Sequence, residues 1–480
     1  MLLPREQPCR DIPWKILPRK QSWGCALLPM ILVWETMKLE LPNSVKKAFE
    51  MLDNSGFCGY LVGGSVRDCL LEKTPLDFDM TSDATPAEIK ACFSNYRVIE
   101  TGIRHGTVTV IIDGHSIEIT THRREGNYSD KRHPDEVMFT KNLDEDLARR
   151  DFTMNALAYH PQKGFVDLFG GIEDIQEKRI RCVGDPRERM NEDALRILRA
   201  LRFASVLGFA LEEETQKAVN EACEQLKEIS AERIAAEMVK LLCGKNVKRV
   251  LLEETTVLGA VIPELLPAKD FDQKNPHHCY DILTHTAVAL ENLPPTPHLR
   301  WTMLFHDLGK PATYSRDALG IGHFNGHSRQ SESLAKHRLN ALKLDKESIA
   351  KICKLIKYHD TVVEPSKKSV KRWLNRLSES LFRDLLEIKR ADVLAQSLEY
   401  RFRLDGLAEL ENILSEVIAE NECFSLKDLA INGNDLIAMG IADGPEIGRL
   451  LKHLLENVMD DEVENAKEVL IEKIKEIKQC

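Results

Sequence analysis

Two groups of residues in this chain have types and spacings suited to chemistry. The first is Asp77 and Asp79, in the run Leu76-Asp77-Phe78-Asp79-Met80. In a strand the side-chain period is two, so Leu76, Phe78 and Met80 face a core while both aspartates share the other face. Carboxylates side by side repel unless a cation sits between them. Hard oxygen ligands at this spacing suit Mg²⁺, which keeps several waters and takes further ligands from substrate phosphates. Just upstream, the apolar residues 60–62 end at Gly63 and Gly64, and Ser65 opens a helical segment over 66–71. Backbone N–H groups at such a turn favour a phosphate, and glycine lets it approach closely. The second group is His285, His306, Asp307, His327, His359 and Asp392, which punctuate one helical region beyond residue 270. Imidazole with carboxylate suits a transition metal that activates water.

The elements that must position the first group are readable around it. Residues 43–54 form an amphipathic helix, and Thr85-Pro86-Ala87-Glu88 starts another that runs to about Phe93. The β-branched run 107–112 reads as a strand and Asp113-Gly114 as a hairpin turn. In the returning strand, 116–120, Ile117 and Ile119 lie on one face and Glu118 on the other, which makes Glu118 a candidate third carboxylate. Residues 123–135 are polar and turn-rich and read as a long mobile loop. In Arg149-Arg150-Asp151-Phe152-Thr153-Met154-Asn155-Ala156, guanidinium groups can fork onto phosphate oxygens and a carboxylate can accept from a ribose hydroxyl. After the break at residues 183–186, one long helix is expected over 186–203, with Asp193, Arg196, Arg199 and Arg202 as a polar stripe. Cytosine and adenine share an exocyclic amine beside a ring-nitrogen acceptor. Asp193 can accept from that amine and Arg196 can donate to that nitrogen, so two side chains can act as a template.

The motif Gly63-Gly64-Ser65-Val66-Arg67-Asp68, followed by Asp77-Phe78-Asp79, resembles the first motif of the nucleotidyltransferase branch that contains tRNA CCA-adding enzymes and bacterial poly(A) polymerases. Residues 149–156 resemble that family's second motif, residues 192–196 its base-reading motif, and residues 232–238 the motif that closes the neck. The resemblance implies catalysis by Asp77, Asp79 and Glu118 with Mg²⁺. It also implies nucleotide contacts from Gly63, Gly64, Arg67, Arg150, Asp151, Asp193, Arg196, Arg199 and Arg202, with Asp151 selecting ribose. In the family, a flexible loop at 123–135 accompanies addition of the terminal A. The order His, His-Asp, Ala-Asp resembles the HD phosphohydrolase family and implies His285, His306, Asp307 and Asp392 as core ligands of a transition metal, with His327 and His359 available for a second. Residues 444–448 resemble the tail motif that meets folded tRNA.

Bulk properties fit this reading. The formal charge of −10 confines any RNA-binding surface to a local basic region. Twelve cysteines without a Cys-x-x-Cys pair point to reduced thiols rather than a zinc ribbon or disulfide framework. No run approaches a membrane span, and a cytoplasmic protein without a membrane partner is expected. The expected fold class is α+β: a mixed-sheet nucleotidyltransferase head over 37–183, a helical neck over 184–265, an HD-type domain over 266–395 and a helical tail over 396–480. Residues 1–36 read as an upstream extension without fold, with Met37 opening the natural chain. The expected activity is untemplated addition of CCA to the 3′ end of tRNA from CTP and ATP. The alternatives are an A-adding enzyme or poly(A) polymerase of the same family, or an HD-type metal phosphohydrolase acting on nucleotides or RNA ends.

Overall fold

The computed structural model describes residues 38–75, 77–125, 137–441 and 444–479. The expected extension 1–36, Leu76 and most of the expected loop lie outside these residues. Chain contacts divide the protein into two units, residues 1–230 and 231–480.

The first unit is built on strands β1 (Gly59–Val62), β2 (Phe78–Ser82), β3 (Arg97–Ile99), β4 (Thr107–Ile112), β5 (His115–Thr121), β6 (Arg123–Glu125), β7 (Val137–Phe139), β8 (Leu157–His160) and β9 (Gly164–Asp167). Seven of them form one mixed sheet in the order β3-β4-β5-β2-β1-β8-β9. The pairing of β2 with β5 is parallel and places Asp79 opposite Glu118. The other pairs in this sheet are antiparallel. Alternation decides the faces: Val108, Val110, Ile112, Ile117 and Ile119 are wholly buried, while Glu118 is exposed. The hairpin between β4 and β5 turns on Asp113 and Gly114, both at positive φ, as the sequence predicts. Helix Asn43–Asn54 buries Val45, Ala48, Phe49 and Leu52, its apolar face. Helix Pro86–Cys92 starts in a capping box between Thr85 and Glu88.

Two expectations need correction. Residues 123–135 are not loop throughout, because Arg123–Glu125 pair with Val137–Phe139 as a two-stranded ribbon. The expected single helix over 186–203 is two helices, Pro186–Glu192 and Leu195–Leu207. Asp193 has extended backbone angles between them, and its carboxylate accepts from the Leu195 N–H at 3.1 Å. A short acidic side chain that satisfies backbone donors itself competes with helix continuation. Asp193 therefore sits at an elbow, and the stripe begins on the second helix with Arg196.

The second unit is helical. Helices Ile282–Glu291, Pro297–Phe305, His327–Ala341, Lys346–Tyr358 and Glu379–Leu394 surround the His and Asp residues noted above. The tail helices Arg403–Ala419, Gly433–Ala438, Gly444–Met459 and Lys467–Gln479 follow. The last three pack around Leu436, Leu454, Leu470 and Ile474. No helix among the described residues is long and apolar enough to cross a membrane.

Candidate active site and metal centre

In the first unit the carboxylates are set by the sheet. Phe78 and Met80 are buried, Asp79 is half-buried, and Asp77 is exposed just ahead of β2. Asp79 and Glu118 are register partners on neighbouring strands. Burial raises the Asp79 pKa, and the nearby Glu118 and Asp77 charges raise it further while Arg150 opposes them, to about 6. Together, Asp77, Asp79 and Glu118 offer only oxygen donors. This donor set fits a hard divalent cation.

Ser65 fastens the glycine turn to these aspartates. Its hydroxyl donates to the Asp77 carbonyl at 3.0 Å and accepts from the Asp79 N–H at 3.1 Å. Gly63 has φ +69°, and a Cβ there would stand 3.0 Å from a guanidinium nitrogen of Arg150. Glycine thus gives both the left-handed turn and the close approach of Arg150.

Arg150 and Arg149 are both held by Asp146, at 3.2 and 2.8 Å. Burial of Asp146 works against its charge, but the two guanidinium groups outweigh it and depress its pKa to about 2. Asp151 is likewise buried, and its Oδ2 accepts from Arg199 Nε at 2.8 Å. Its Oδ1 accepts from the Phe152 N–H at 2.8 Å and from Asn155 Nδ2 at 3.0 Å. Burial again opposes ionisation, and Arg199 with these donors overcomes it, leaving the pKa at about 2. Asn155 Oδ1 in turn accepts from Arg67 at 2.8 Å, and Arg67 also pairs with Asp68. Arg67, Arg199 and Arg202 all lie over the Phe203 ring, 5.0, 5.8 and 4.2 Å from its centre.

Arg196 donates to Glu192 at 2.5 Å, to the Arg189 carbonyl at 2.9 Å and to the Arg149 carbonyl at 3.3 Å. Residues 192–196 are thereby tied to the second motif. Asp146, Asn155, Glu192 and Phe203 were not singled out from the sequence. Asp146 could have been, since it lies in helix Leu143–Ala148 and precedes Arg149 and Arg150, just past that helix, by three and four residues.

In the second unit all six predicted residues come together. His285 Nε2 lies 2.8 Å from Asp392, and His306 Nε2 lies 3.2 Å from Asp307 and 3.4 Å from His285 Nε2. The other oxygen of Asp307 faces His327 and His359 at 3.4 and 3.6 Å. Ligand atoms of His285, His306 and Asp307 lie within 4.8 Å of one another, as do those of Asp307, His327 and His359. Asp307 is common to both sets.

The imidazoles are oriented from behind. Nδ1 of His285 contacts the Ala395 carbonyl at 3.2 Å, and Nδ1 of His306 that of Met303 at 2.7 Å. His327 and His359 do the same with Phe324 at 2.9 Å and Ile356 at 2.7 Å. A proton on Nδ1 donated to a carbonyl leaves the Nε2 lone pair facing inward, the tautomer a metal needs. Asp307 and Asp392 are both held well below the usual carboxylate range, despite burial. For His306 burial resists protonation, but Asp307 and Asp392 outweigh it and lift the pKa to about 10. The cluster is short of positive charge, and a transition metal fits it. Lys310, 2.7 Å from Asp307, and Gln396, 3.1 Å from Asp392, were not anticipated.

A mixed sheet with a glycine turn, acidic groups on adjacent strands and flanking arginines defines a nucleotidyltransferase head. The family model of the poly A polymerase head domain matches residues 59–181. Models for an RNA- and SrmB-binding site of polymerase A and for tRNA nucleotidyltransferase domain 2 match residues 208–269 and 324–474. The CCA-adding enzyme of Lactobacillus delbrueckii subsp. bulgaricus is 36% identical over 438 residues, 90% of this chain and 97% of the relative. That of Enterococcus faecalis is 34% identical over 446 residues, 91% of this chain and 97% of the relative. The crystal structure of the Bacillus stearothermophilus CCA-adding enzyme in complex with CTP superposes with a TM-score of 0.68 at 29% identity, covering 91% of this chain and 98% of that one. The chain belongs to the family of bacterial CCA-adding enzymes.

Proposed function

We propose that this tRNA nucleotidyltransferase extends the 3′ end of tRNA by C, C and A in turn, from CTP and ATP and without a nucleic-acid template. The observation that carries the proposal is the register of Asp79 beside Glu118 on central strands, with Asp77 and the Ser65-anchored glycine turn at the adjoining ends of β2 and β1. The family uses a divalent metal, and here the three carboxylates would hold Mg²⁺. When bound, it supplies the positive charge that the triphosphate and the developing charge of transfer require.

The remaining work falls to the chain itself. The N–H groups after Gly63 and the Arg150 guanidinium receive phosphate oxygens. Asp193 accepts from the exocyclic amine of C or A, and Arg196 donates to the adjacent ring nitrogen. Arg196 is fixed by Glu192 and two carbonyls, so little reorganisation is needed when the base arrives. Both oxygens of Asp151 already accept from protein donors, so in selecting ribose it works together with Arg199. In this reading residues 37–183 are the catalytic head, 184–265 the neck that reads the base, and 396–480 the tail that meets tRNA, in the cytoplasm.

A second reading concerns residues 266–395. Four Nδ1 atoms tied to carbonyls, with Nε2 atoms converging on Asp307, support a metal-dependent phosphohydrolase centre held by His285, His306, Asp307, His327, His359 and Asp392. When bound there, a transition metal supplies an activated water.

The test of the first reading is extension of tRNA transcripts that lack CCA, end in CC or are complete, with Mg²⁺ and CTP, ATP or both. Growth by three nucleotides followed by a stop is the expected result. Growth of the CC-ended transcript alone would reduce the protein to an A-adding enzyme, and long ATP-dependent tails would make it a poly(A) polymerase.

A further inference from the structure

One aromatic ring in the head gathers charged side chains that lie far apart in the sequence. Phe203, on helix Leu195–Leu207, is 6% exposed, yet the guanidinium groups of Arg202, Arg67 and Arg199 stand 4.2, 5.0 and 5.8 Å from its ring centre. The wholly buried Phe152 ring meets it edge-on at 5.8 Å and holds its plane. A ring that only filled the core would not need three cations around it, because charged heads are ordinarily left in water.

Helical spacing accounts for one of these contacts. Arg199 and Phe203 are four positions apart and so share a helix face. Arg202 and Phe203 are neighbours that leave the helix about 100° apart, so Arg202 reaches the ring only by curling back over it. Arg67 comes from another helix, Gly64–Leu70, and is fixed by Asn155 at 2.8 Å and Asp68 at 2.8 Å. A Cβ on Gly64 would stand 3.5 Å from Arg67 Nη2. The Arg67 guanidinium thus lies close to both the glycine turn and the Phe203 ring. Guanidinium groups brought together repel one another. The negative face of a ring offsets part of that repulsion while leaving every charge in place for an anion. Asp68 holds Arg67 and Asp151 holds Arg199, but the ring is the contact that all three arginines share.

We propose that Phe203 is a positioning residue of the nucleotide site: its ring holds Arg67, Arg199 and Arg202 as one cationic group that meets the triphosphate of the incoming nucleotide beside the glycine turn. The inference rests on the transferase reading of the head, and it gives a role to a residue that itself touches neither nucleotide nor metal. Three long side chains gathered in advance need not be ordered when the nucleotide binds. CTP and ATP carry the same triphosphate, so Phe203 serves both alike.

The experiment measures kcat and KM of the full-length protein with Mg²⁺, for CTP on a tRNA transcript lacking CCA and for ATP on one ending in CC. Phe203→Leu and Phe203→Met keep an apolar side chain but remove the ring face. Phe203→Tyr keeps the face, and Phe49→Leu removes a ring buried elsewhere in the head. Phe203→Leu and Phe203→Met should each raise KM about tenfold for both nucleotides and change kcat by less than about twofold. Phe203→Tyr and Phe49→Leu should both stay within about twofold of the parent in KM. Chemical denaturation identifies a variant that has lost its fold, and either of the two variants without the ring face then suffices. A merely structural ring gives another pattern: kcat and stability fall, KM does not move, and Phe49→Leu behaves in the same way. That pattern would overturn the proposal, as would a Phe203→Tyr variant with KM raised as far as in Phe203→Leu. If the parent adds neither nucleotide, the transferase reading fails, and equilibrium dialysis of CTP against the same variants decides the role of Phe203 by itself.

Discussion

The head and the His/Asp centre present their candidate ligands in opposite ways. In the head, Asp77 and Glu118 are exposed and only Asp79 is half-buried, so water and a ligand reach all three. In the centre, His285, His306 and Asp307 are buried, and the ring nitrogens behind the Nε2 atoms are locked to carbonyls before any ion arrives. Open oxygen ligands suit an ion that enters and leaves with a triphosphate, since Mg²⁺ gives up its waters reluctantly. Buried, preoriented imidazoles suit an ion that stays. The charge balance follows the same division. Burial and then the like charges of Glu118 and Asp77 raise Asp79 to about 6, whereas in the centre Asp307 and Asp392 outweigh burial and lift His306 to about 10.

The sharpest way to break this comparison is a reciprocal pair of substitutions. Asp79→Asn should lower nucleotide addition by on the order of 10³-fold, with tRNA binding in a gel shift and the metal content of the centre unchanged. His306→Ala should do the reverse: transition metal taken up by the parent on loading, measured by emission spectroscopy, should no longer be bound, and CCA addition should stay at the parental rate. A loss of both nucleotide addition and metal binding in either variant would mean that the two regions do not work separately.

A smaller effect sharpens the account of the head. Arg196→Lys keeps the charge but not the planar fork, and discrimination of CTP against UTP should fall by about 10- to 100-fold. The rate with CTP should change less. Equal losses with both nucleotides would assign Arg196 to structure rather than to base reading.

The smallest effect concerns stability, and its sign follows from the depressed pKa of Asp151. That group, at about 2 folded against 3.8 unperturbed, stabilises the fold fully above pH 3.8 and loses its contribution as pH falls through about 2. Asp151→Asn should therefore cost about 2 kcal/mol at pH 7, read by chemical denaturation, and the difference should shrink between pH 4 and pH 2. A pH-independent difference would assign the loss to packing instead.

Local patterns in the sequence were legible where physics is local. Helix Asn43–Asn54, strand Thr107–Ile112, the Asp113-Gly114 turn and the Thr85 cap follow from periodicity, φ preference and capping within four residues. The pattern over 186–203 suggests one helix because its apolar period continues through Asp193, whereas the extended backbone there, with the Asp193 carboxylate accepting from the Leu195 N–H, breaks it in two. Residues 123–125 looked like loop because a ribbon strand is stabilised by its partner, Val137–Phe139, and not by its own composition.

Residue identity and spacing were enough to mark the candidates for the chemistry: the paired aspartates, the glycine turn, the arginine-rich motifs and the scattered histidines, because ligand type is written in residue identity. Only the tertiary structure decided which of them meet. Asp151 finds Arg199 across 48 positions and His285 finds Asp392 across 107. The parallel pairing of β2 with β5 places Asp79 beside Glu118. The orientation of four imidazoles by backbone carbonyls was equally invisible beforehand. Such arrangements depend on how helices and strands pack once the chain has closed on itself, and no local pattern encodes the angle at which two distant side chains arrive.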